Sequence, residues 1–329
     1  MKIAILGAGA WGTALASHAS ARHPVSLWSR DPAVVADLSR HRRNSRYLPD
    51  VVVPPGCSVT GELGSAVDSA DLLVVATSVA GLAPVMKLIA PSRKGAVVWL
   101  CKGLAADTGE LPHAVVAGIA PGWQAGCLSG PSFAQEVAAG LPVALTAAAT
   151  SDELARQMVA AFHHGAMRVY RSTDLRGVEI AGAVKNVMAI ATGIGDGLRL
   201  GSNARAALLT RGLAEMTRFG LARGARAETF MGLAGIGDLV LTCTGDLSRN
   251  RTVGLKLAQG LPLQQILRDL GHVAEGVACC RAVVASAHAA GVDMPVSEAV
   301  LEVIEGRSSP AEAVASLLAR EPKPEQEAQ

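Results

Sequence analysis

Three closely spaced glycines near the amino terminus constrain the fold of this chain more than any other feature. Gly7, Gly9 and Gly12 have G-x-G-x-x-G spacing in the stretch ILGAGAWGTALA, residues 5–16. A β-pattern, KIAIL, precedes them, and a helix-like run, TALASHAS, follows them. In this context glycines let backbone amides approach a pyrophosphate at the start of a helix. The sequence therefore predicts a dinucleotide-binding Rossmann unit, with a tight structural turn as the alternative.

Short apolar runs continue this pattern through the first half of the chain. Separated by helical segments, they predict a doubly wound, mostly parallel sheet that is covered on both faces. The predicted strands are residues 24–28, 71–77, 96–101, 124–130 and 142–149. The segments ATSVAGLAP, CKGL and SGPSFAQE follow three of them. These segments lie at the sheet edge where open α/β proteins bind ligands.

From about Asp174 the apolar residues recur with helical spacing, and several segments end at glycine, as helices often do. We expect an NAD(P)-binding Rossmann domain over residues 1–170 and an all-helical domain over residues 171–320. The polar, proline-bearing end of the chain, residues 321–329, is predicted to be disordered. Aromatic residues make up 3% of the chain, so small and aliphatic side chains must pack both cores.

Composition and motifs exclude several classes of function. A net charge of +2 offers no basic field for nucleic acid. Prolines and glycines interrupt the longest uncharged stretch, residues 111–135, so we expect no integral membrane segment and a cytoplasmic protein. The six cysteines fit neither a metal site nor a disulfide scaffold. No metal is predicted, because His163 and His164 diverge on a helix, and hydrolase and NTPase motifs are missing from the sequence.

A short polar segment after the second predicted strand bears on the choice of cofactor. Ser29, Arg30 and Asp31 lie about twenty residues beyond the glycines, where a Rossmann unit meets the adenosine ribose. The Arg30 guanidinium suits the 2′-phosphate of NADP. Because Asp31 lies beside Arg30, NAD is an alternative cofactor. The alternative for Arg30 itself is a loop arginine that contacts only solvent.

Two lysines are candidates for chemistry. Lys185 lies in the apolar segment IAGAVKNVMAIA, where it either extends to solvent or faces a polar cleft with a lowered pKa that suits proton transfer. Asn186 beside it would orient the lysine or a substrate. Lys102 follows one predicted strand at the ligand-binding edge of the sheet, and Gly130 and Ser132 follow another. The alternative for Lys102 is a surface lysine, and the alternative for the SGPS segment is a plain proline turn.

A glycine-rich connection, residues 232–254, carries a second group of polar candidates. Arginine, serine and asparagine ahead of a helix suit phosphate capture through side chains and amino-terminal amides. An ordinary helix cap with solvated charges is the alternative. The candidates are Asp238, Thr242, Ser248, Arg249, Asn250 and Arg251.

Taken together, ordered blocks along nearly the whole chain resemble the bacterial NAD(P)-dependent glycerol-3-phosphate dehydrogenases. The blocks are GAGAWGTALA, RYLPD, CKG, LSGPSFAQEV, GVEIAGAVKNVMAIATGIGDGL, ALLTRGLAEM, GLAGIGDLVLTCT, SRN and VAEGV. The resemblance implies a Rossmann domain followed by a helical domain similar to that of 6-phosphogluconate dehydrogenase, with the active site between them in a homodimer. It also implies reversible reduction of dihydroxyacetone phosphate to sn-glycerol 3-phosphate with NADPH or NADH, which supplies phospholipid synthesis.

The resemblance assigns roles residue by residue, with Lys185 as the catalytic proton donor and acceptor. The implied substrate-binding residues are Lys102, Gly130, Ser132, Lys185, Asn186, Asp238, Thr242, Ser248, Arg249 and Asn250. Together with the three glycines, the implied cofactor-binding residues are Ala10, Trp11, Arg30, Tyr47, Lys102, Ala134, Arg249, Val273 and Glu275. The chain departs from the family pattern at Ala10, where serine is frequent, and at Asp31, where some members carry a second basic residue.

Two other functions stay open from the sequence. A β-hydroxyacid dehydrogenase shares the domain order and a helix-borne lysine, but the SRN segment favours a phosphorylated substrate. A non-catalytic NAD(P)-sensing module would explain the glycines and leave Lys185 and Lys102 without a role.

Overall fold

The computed structural model describes residues 1–91, 95–271 and 273–321. An amino-terminal α/β half is followed by a helical half, as the sequence predicts. The predicted disordered tail, apart from Glu321, lies outside the described residues.

One large sheet dominates the first half. The strands are β1 (Ile3–Leu6), β2 (Val25–Trp28), β3 (Arg43–Asn44), β4 (Leu48–Val52), β5 (Cys57–Thr60), β6 (Leu72–Val75), β7 (Ala96–Trp99), β8 (Gln124–Ser129), β9 (Val143–Ala149) and β10 (Met167–Ser172). Eight of these strands follow the spatial order β10-β9-β8-β7-β6-β1-β2-β5, while β3 and β4 form a separate antiparallel hairpin. Among the described residues, β8 and β9 are the antiparallel neighbours within an otherwise parallel sheet.

The sheet has two buried faces because its side chains alternate across it. Ile3 and Ile5 pack on one face, and Ala4 and Leu6 pack on the other. Helices cover both faces. They are α1 (Ala10–Ala19), α2 (Pro32–His41), α3 (Leu63–Val67), α4 (Val79–Ile89), α5 (Pro112–Ile119), α6 (Ala134–Ala138) and α7 (Asp152–Phe162).

Strand β10 marks the end of the sheet and bears on the domain boundary. Arg171 and Ser172 still pair with β9, so the predicted boundary after residue 170 falls inside this strand. The sequence MRVYRS mixes charged and apolar residues, and its alternation was too weak to predict a strand. We propose that the helical domain begins after Ser172.

A bundle of helices forms the second half. They are α8 (Leu175–Gly197), α9 (Gly201–Ala222), α10 (Ala227–Phe230), α11 (Asp238–Thr244), α12 (Arg249–Ala258), α13 (Leu263–Leu270), α14 (Glu275–Ala289), α15 (Pro295–Ile304) and α16 (Pro310–Leu318). A π-helical turn, Leu233–Gly237, leads into α11.

Helix α8 is the central element of this half. The Asp174 carboxylate caps its amino terminus by accepting from the Gly177 N–H, and it also accepts from the Arg226 N–H and the Thr229 hydroxyl. By length and composition α8 could cross a membrane, but protein buries all of its apolar window. Its side chains therefore form the core that α9, α11, α12 and α14 cover.

Small residues let α8 and α12 approach closely. A Cβ atom on Gly193 would lie 2.1 Å from the Arg251 carbonyl oxygen, and one on Gly254 would lie 2.1 Å from the Ile190 carbonyl oxygen. Real atoms cannot come so near, so the two helices need glycine at both positions. This contact sets how far the first turn of α12 lies from the middle of α8.

Both cores contain free cysteines. Cys57 and Cys127 lie in the two clusters that cover the sheet, and Cys243, Cys279 and Cys280 lie in the helical core. Burial raises the pKa of each of these thiols, to about 11 for Cys57 and about 12 for Cys243 and Cys279. They remain protonated at neutral pH and act as small apolar side chains.

We expect Gly254→Ala to lower the free energy of unfolding by about 2 kcal/mol or more, because the added methyl group forces two helices apart. Urea unfolding followed by circular dichroism measures this loss. Gly118→Ala is the matched control, since nothing lies within 4 Å of a Cβ atom there. An alanine inside α5 should be neutral or stabilising by up to about 1 kcal/mol. Equal unfolding midpoints for the two variants would show that the close approach is unimportant.

Candidate active site

The glycine-rich turn lies between β1 and α1 and has the features of a nucleotide cradle. Gly7 has a φ of +128°, and a Cβ atom on it would lie 2.8 Å from the Ala76 carbonyl oxygen. A Cβ atom on Gly12 would lie 2.0 Å from the Gly7 carbonyl oxygen. Gly7 and Gly12 are thus required by the turn itself. Gly9 differs, because the space around its Cβ position is open.

The open space at Gly9 coincides with the start of α1. Gly9 is the N-cap residue, and no side chain caps the helix there, so the amides of its first turn are available to a ligand. Ala10 and Trp11 are the first two helical residues and are partly buried. The Gly9 backbone, which carries no side chain, and the uncapped amides of the first turn of α1 together fit the pyrophosphate of a dinucleotide.

A carboxylate joins the two halves at the carboxyl edge of the sheet. Asp238, at the first position of α11, places one oxygen 2.7 Å from Lys102 Nζ and the other 2.8 Å from Lys185 Nζ. Lys102 follows β7 and Lys185 lies in the middle of α8. The Lys185 ammonium also donates to the Thr242 hydroxyl at 2.8 Å. The structure therefore brings together four residues from three separate segments of the chain.

Burial and charge set the protonation of this group. Burial lowers the pKa of Lys185 to about 8, and the positive charge of Lys102 adds to this effect, while Asp238 opposes it. Burial pushes the pKa of Asp238 upward, but the two lysine charges outweigh it and hold the pKa below its usual range. Lys185 is thus an ammonium group that can give up its proton near neutral pH while its carboxylate partner stays ionised.

The turn after β8 supports Lys102. Gly130 has a φ of +134°, a conformation that favours glycine. Its carbonyl oxygen accepts from Lys102 Nζ and from the Ser132 hydroxyl, each at 3.1 Å. Both Lys102 and Ser132 are partly buried. This turn therefore places a hydroxyl and an ammonium group on one side of the cleft.

Asn186 and Asn250 connect three elements through their side-chain amides. Asn186 Nδ2 donates to the Lys102 carbonyl oxygen at 3.2 Å, and its Oδ1 accepts from Asn250 Nδ2 at 3.0 Å. Asn250 Oδ1 accepts from the Gly276 N–H at 3.0 Å. These internal bonds occupy the Asn250 side chain, so they favour a role for it in positioning α12 and α14.

The SRN segment forms the start of α12. Ser248 is the N-cap, and its hydroxyl accepts from the Arg251 N–H. Arg249, one residue on, is exposed, and within the described ranges its guanidinium has no hydrogen-bond or ion-pair partner. The helix cap that the sequence offered as an alternative exists, and it leaves the Arg249 guanidinium available.

The remaining predicted cofactor residues lie around the edge of the sheet. Ala134 is the first residue of α6, and Val273 is 52% exposed ahead of α14. The Glu275 carboxylate, at the start of α14, lies close enough to the Val79 N–H, at the start of α4, for that amide to lower its pKa. Burial raises the pKa of Glu275 to about 7, and the Val79 amide and the Arg249 charge oppose that rise.

The adenosine end of the predicted nucleotide site lies further along the edge. Arg30 follows β2 and is exposed, and Tyr47, in the hairpin turn, is partly buried. Sequence reasoning missed Asn44, a buried residue whose Nδ2 donates to the Ala8 carbonyl oxygen at 2.9 Å. It also missed Val79. Neither residue has a sequence signal, since one contact uses a side chain from a distant strand and the other uses a backbone amide.

This arrangement has a defined chemical capacity. An ammonium group of lowered pKa can donate a proton to a developing alkoxide and take it back in the reverse direction. Arg249 and the first turn of α12 supply positive charge for an oxygen-rich anion. The cleft therefore suits an acid-base reaction of a small anionic substrate beside a dinucleotide.

Comparison with known proteins agrees with this geometry. A family model described as the amino-terminal part of NAD-dependent glycerol-3-phosphate dehydrogenase matches residues 2–155, and the model of its carboxyl-terminal part matches residues 174–315. A glycerol-3-phosphate dehydrogenase (NAD(P)+) from Ralstonia nicotianae is 56% identical, and the match covers 99% of each chain.

Solved structures show the same similarity. The crystal structure of glycerol-3-phosphate dehydrogenase from Coxiella burnetii superposes with a TM-score of 0.93 at 40% identity and covers 97% of this chain and 99% of that one. The glycerol-3-phosphate dehydrogenase of Saccharomyces cerevisiae superposes with a TM-score of 0.82 at 26% identity, covering 96% and 98%.

We expect Asp238→Asn to lower the pKa of Lys185 below about 8 and to destabilise the fold. Removing the charge leaves one buried and one partly buried ammonium group without their counterion, which typically costs about 3 kcal/mol or more. An NMR titration of the ¹³Cε signal of Lys185, assigned with Lys185→Met, gives the pKa, and thermal unfolding gives the stability. The control is Asp246→Asn, a 97% exposed carboxylate paired with Arg251. A Lys185 pKa that stays unchanged in Asp238→Asn would contradict the shared-carboxylate arrangement.

Proposed function

Because the chain belongs to the NAD-dependent glycerol-3-phosphate dehydrogenase family, we propose that it reversibly reduces dihydroxyacetone phosphate to sn-glycerol 3-phosphate with NADPH or NADH. The observation that carries this proposal is the buried Lys185 ammonium, held by Asp238 where the two halves meet. It supplies a proton at the place where the nucleotide edge of the sheet faces the helical half.

The cofactor supplies the hydride when it is bound, and the chain supplies position and charge. The turn at Gly9 and the open first turn of α1 bind the pyrophosphate. Val79 follows β6, the strand beside β1, and Glu275 faces it from the helical half. These residues together hold the nucleotide along the carboxyl ends of the strands.

Lys185 moves the proton. In reduction its ammonium group donates to the substrate oxygen as negative charge grows there, and in oxidation the neutral amine accepts the alcohol proton. Lys102 adds positive charge on the other side of Asp238 and stabilises the same oxygen. Thr242 and Asn186 hold these groups in place through the bonds described above.

Arg249 gives the site its preference for a phosphate ester. Its guanidinium lies at the start of α12, where the helix dipole and the free amides also favour an anion. Ser132 and the Gly130 turn face the cleft from the sheet side and contact the polar end of the substrate. A substrate with a carboxylate in place of a phosphate, as in the β-hydroxyacid dehydrogenases, leaves Arg249 less well matched.

The family assignment does not favour the two other functions that the sequence left open. A sensing module would have no use for a lysine that costs free energy to bury, nor for its shared carboxylate. The product carries the glycerol backbone and phosphate of phospholipids, and we place the reaction at the start of phospholipid synthesis in the cytoplasm.

We also propose that the chain forms a homodimer. Several large apolar side chains of the helical half are exposed, and a second copy would cover them. They are Leu200, Leu221, Met231, Val240 and Leu247. Light scattering should give twice the chain mass of 33.6 kDa, and a single-chain mass at micromolar concentration would exclude the dimer.

We expect reduction of dihydroxyacetone phosphate to decline as pH rises through about 8, because Lys185 loses the proton that it must donate. Oxidation of glycerol 3-phosphate should show the opposite trend. Lys185→Met should lower kcat about 10²–10⁴-fold in both directions and leave NADPH binding within about twofold. Stopped-flow assays from pH 6 to pH 10, with binding measured by fluorescence, check these values.

Arg249→Ala is the comparison variant in the same assays. It should raise KM for dihydroxyacetone phosphate about 10- to 100-fold, since a phosphate loses a charged partner, and it should keep the pH profile. Wild-type turnover in Lys185→Met would remove the proposed proton transfer. An unchanged KM in Arg249→Ala would count against phosphate binding at α12.

A further inference from the structure

The segment after β2 lacks an acidic residue that is available to the adenosine ribose. Ser29 follows the strand directly, where NAD-binding proteins often carry Asp or Glu, and it is buried. Its hydroxyl accepts from the Asp31 N–H at 3.2 Å. Arg30 between them is exposed, and within the described ranges its guanidinium makes no hydrogen bond or ion pair. The carboxylate that this segment itself carries is therefore that of Asp31.

Both oxygens of the Asp31 carboxylate are engaged. Oδ1 accepts from the Ala33 N–H at 2.9 Å and so caps α2. Oδ2 accepts from Arg46 Nη1 at 2.9 Å. Capping turns the carboxylate toward its own helix, and the ion pair neutralises its charge. Asp31 is thus poorly disposed to accept hydrogen bonds from a ribose.

The hairpin of β3 and β4 holds Arg46 at this position. Asn44 Nδ2 donates to the Ala8 carbonyl oxygen at 2.9 Å and to the Thr13 hydroxyl at 2.8 Å, which ties the hairpin to the glycine-rich turn and α1. The Ser45 N–H donates to Asp37 of α2 at 2.8 Å. These bonds fix the chain on the residues just before Arg46. The Arg46 guanidinium also lies 5.2 Å from the centre of the Tyr47 ring.

The Arg46–Asp31 pair leaves the guanidinium able to bind a second anion. The Arg46 side chain is 57% exposed and that of Asp31 is 33% exposed, so solvent weakens the pair. A guanidinium has five N–H donors, of which Asp31 uses one. Arg46 can therefore keep Asp31 and donate to a phosphate beside Arg30.

We propose that Arg46 acts with Arg30 as a second binding residue for the 2′-phosphate of NADP, so that this chain selects NADPH over NADH. The proposal rests on the nucleotide site proposed above. Asp31 does not restore the preference for NAD that an acidic residue at this edge normally gives, because α2 and Arg46 occupy it. Two arginines and one neutralised carboxylate leave a net positive charge where the extra phosphate dianion would lie.

Calorimetry on the full chain with two nucleotide fragments tests this without any catalysis. Adenosine 2′,5′-bisphosphate carries the 2′-phosphate, and 5′-AMP lacks it. Wild type should bind the bisphosphate about 10-fold or more tightly than 5′-AMP. Arg46→Ala should weaken binding of the bisphosphate about 10-fold and change the affinity for 5′-AMP less than twofold. Arg46→Lys should retain part of the preference.

Arg43→Ala is the matched control, because Arg43 lies on the same hairpin and donates to the Pro49 carbonyl oxygen. It should change neither affinity by more than about twofold. Equal losses for both fragments in Arg46→Ala would indicate a structural role and overturn the proposal, as would no loss for either. A failure of the proposed function would appear separately, as missing turnover of dihydroxyacetone phosphate in a chain that still binds both fragments.

Discussion

The shared carboxylate of Asp238 is the interaction on which the candidate site depends. One oxygen bonds Lys102 from the α/β half, and the other bonds Lys185 from the helical half. A single ionised group thus fixes the separation of two ammonium groups that would otherwise repel each other in a desolvated place. It also keeps the lysines from extending to solvent, so both ammonium groups are already held in place when a ligand arrives.

The same helix provides stability and chemistry, and the two requirements conflict at Lys185. An apolar environment on all sides of α8 gives the helical core its hydrophobic contacts, and it makes the charged form of a lysine costly. The conflict lowers the pKa of Lys185 to about 8, which places proton transfer near neutral pH. The close packing of α12 against α8 through Gly193 and Gly254 holds Asn250 against Asn186, the residue next to that lysine.

The sequence predicted much of this molecule because its signals were local. The glycine spacing, the apolar runs and the helical periodicity each depend on neighbouring residues, and they predicted six of the eight strands of the sheet, the order of the halves and the two lysines. Strand β5 was missed because its four residues, CSVT, carry only a weak apolar signal, and strand β10 was missed because its charged residues obscure the alternation. The bond from Asn186 to Asn250 and the ion pair of Asp31 with Arg46 join residues 64 and 15 positions apart. Such contacts follow from the packing of distant elements, which no local pattern encodes.

The burial of the thiols means that their reaction with a thiol reagent measures unfolding of the protein. A thiol reagent reacts with the thiolate, so the raised pKa and the burial of these cysteines both suppress labelling of the folded chain. Cys57 and Cys127 react when the sheet loses its cover, while Cys243 and Cys280 react when the helical core separates. The native residues therefore form a built-in set of probes that distinguishes the loss of one half from the loss of the other.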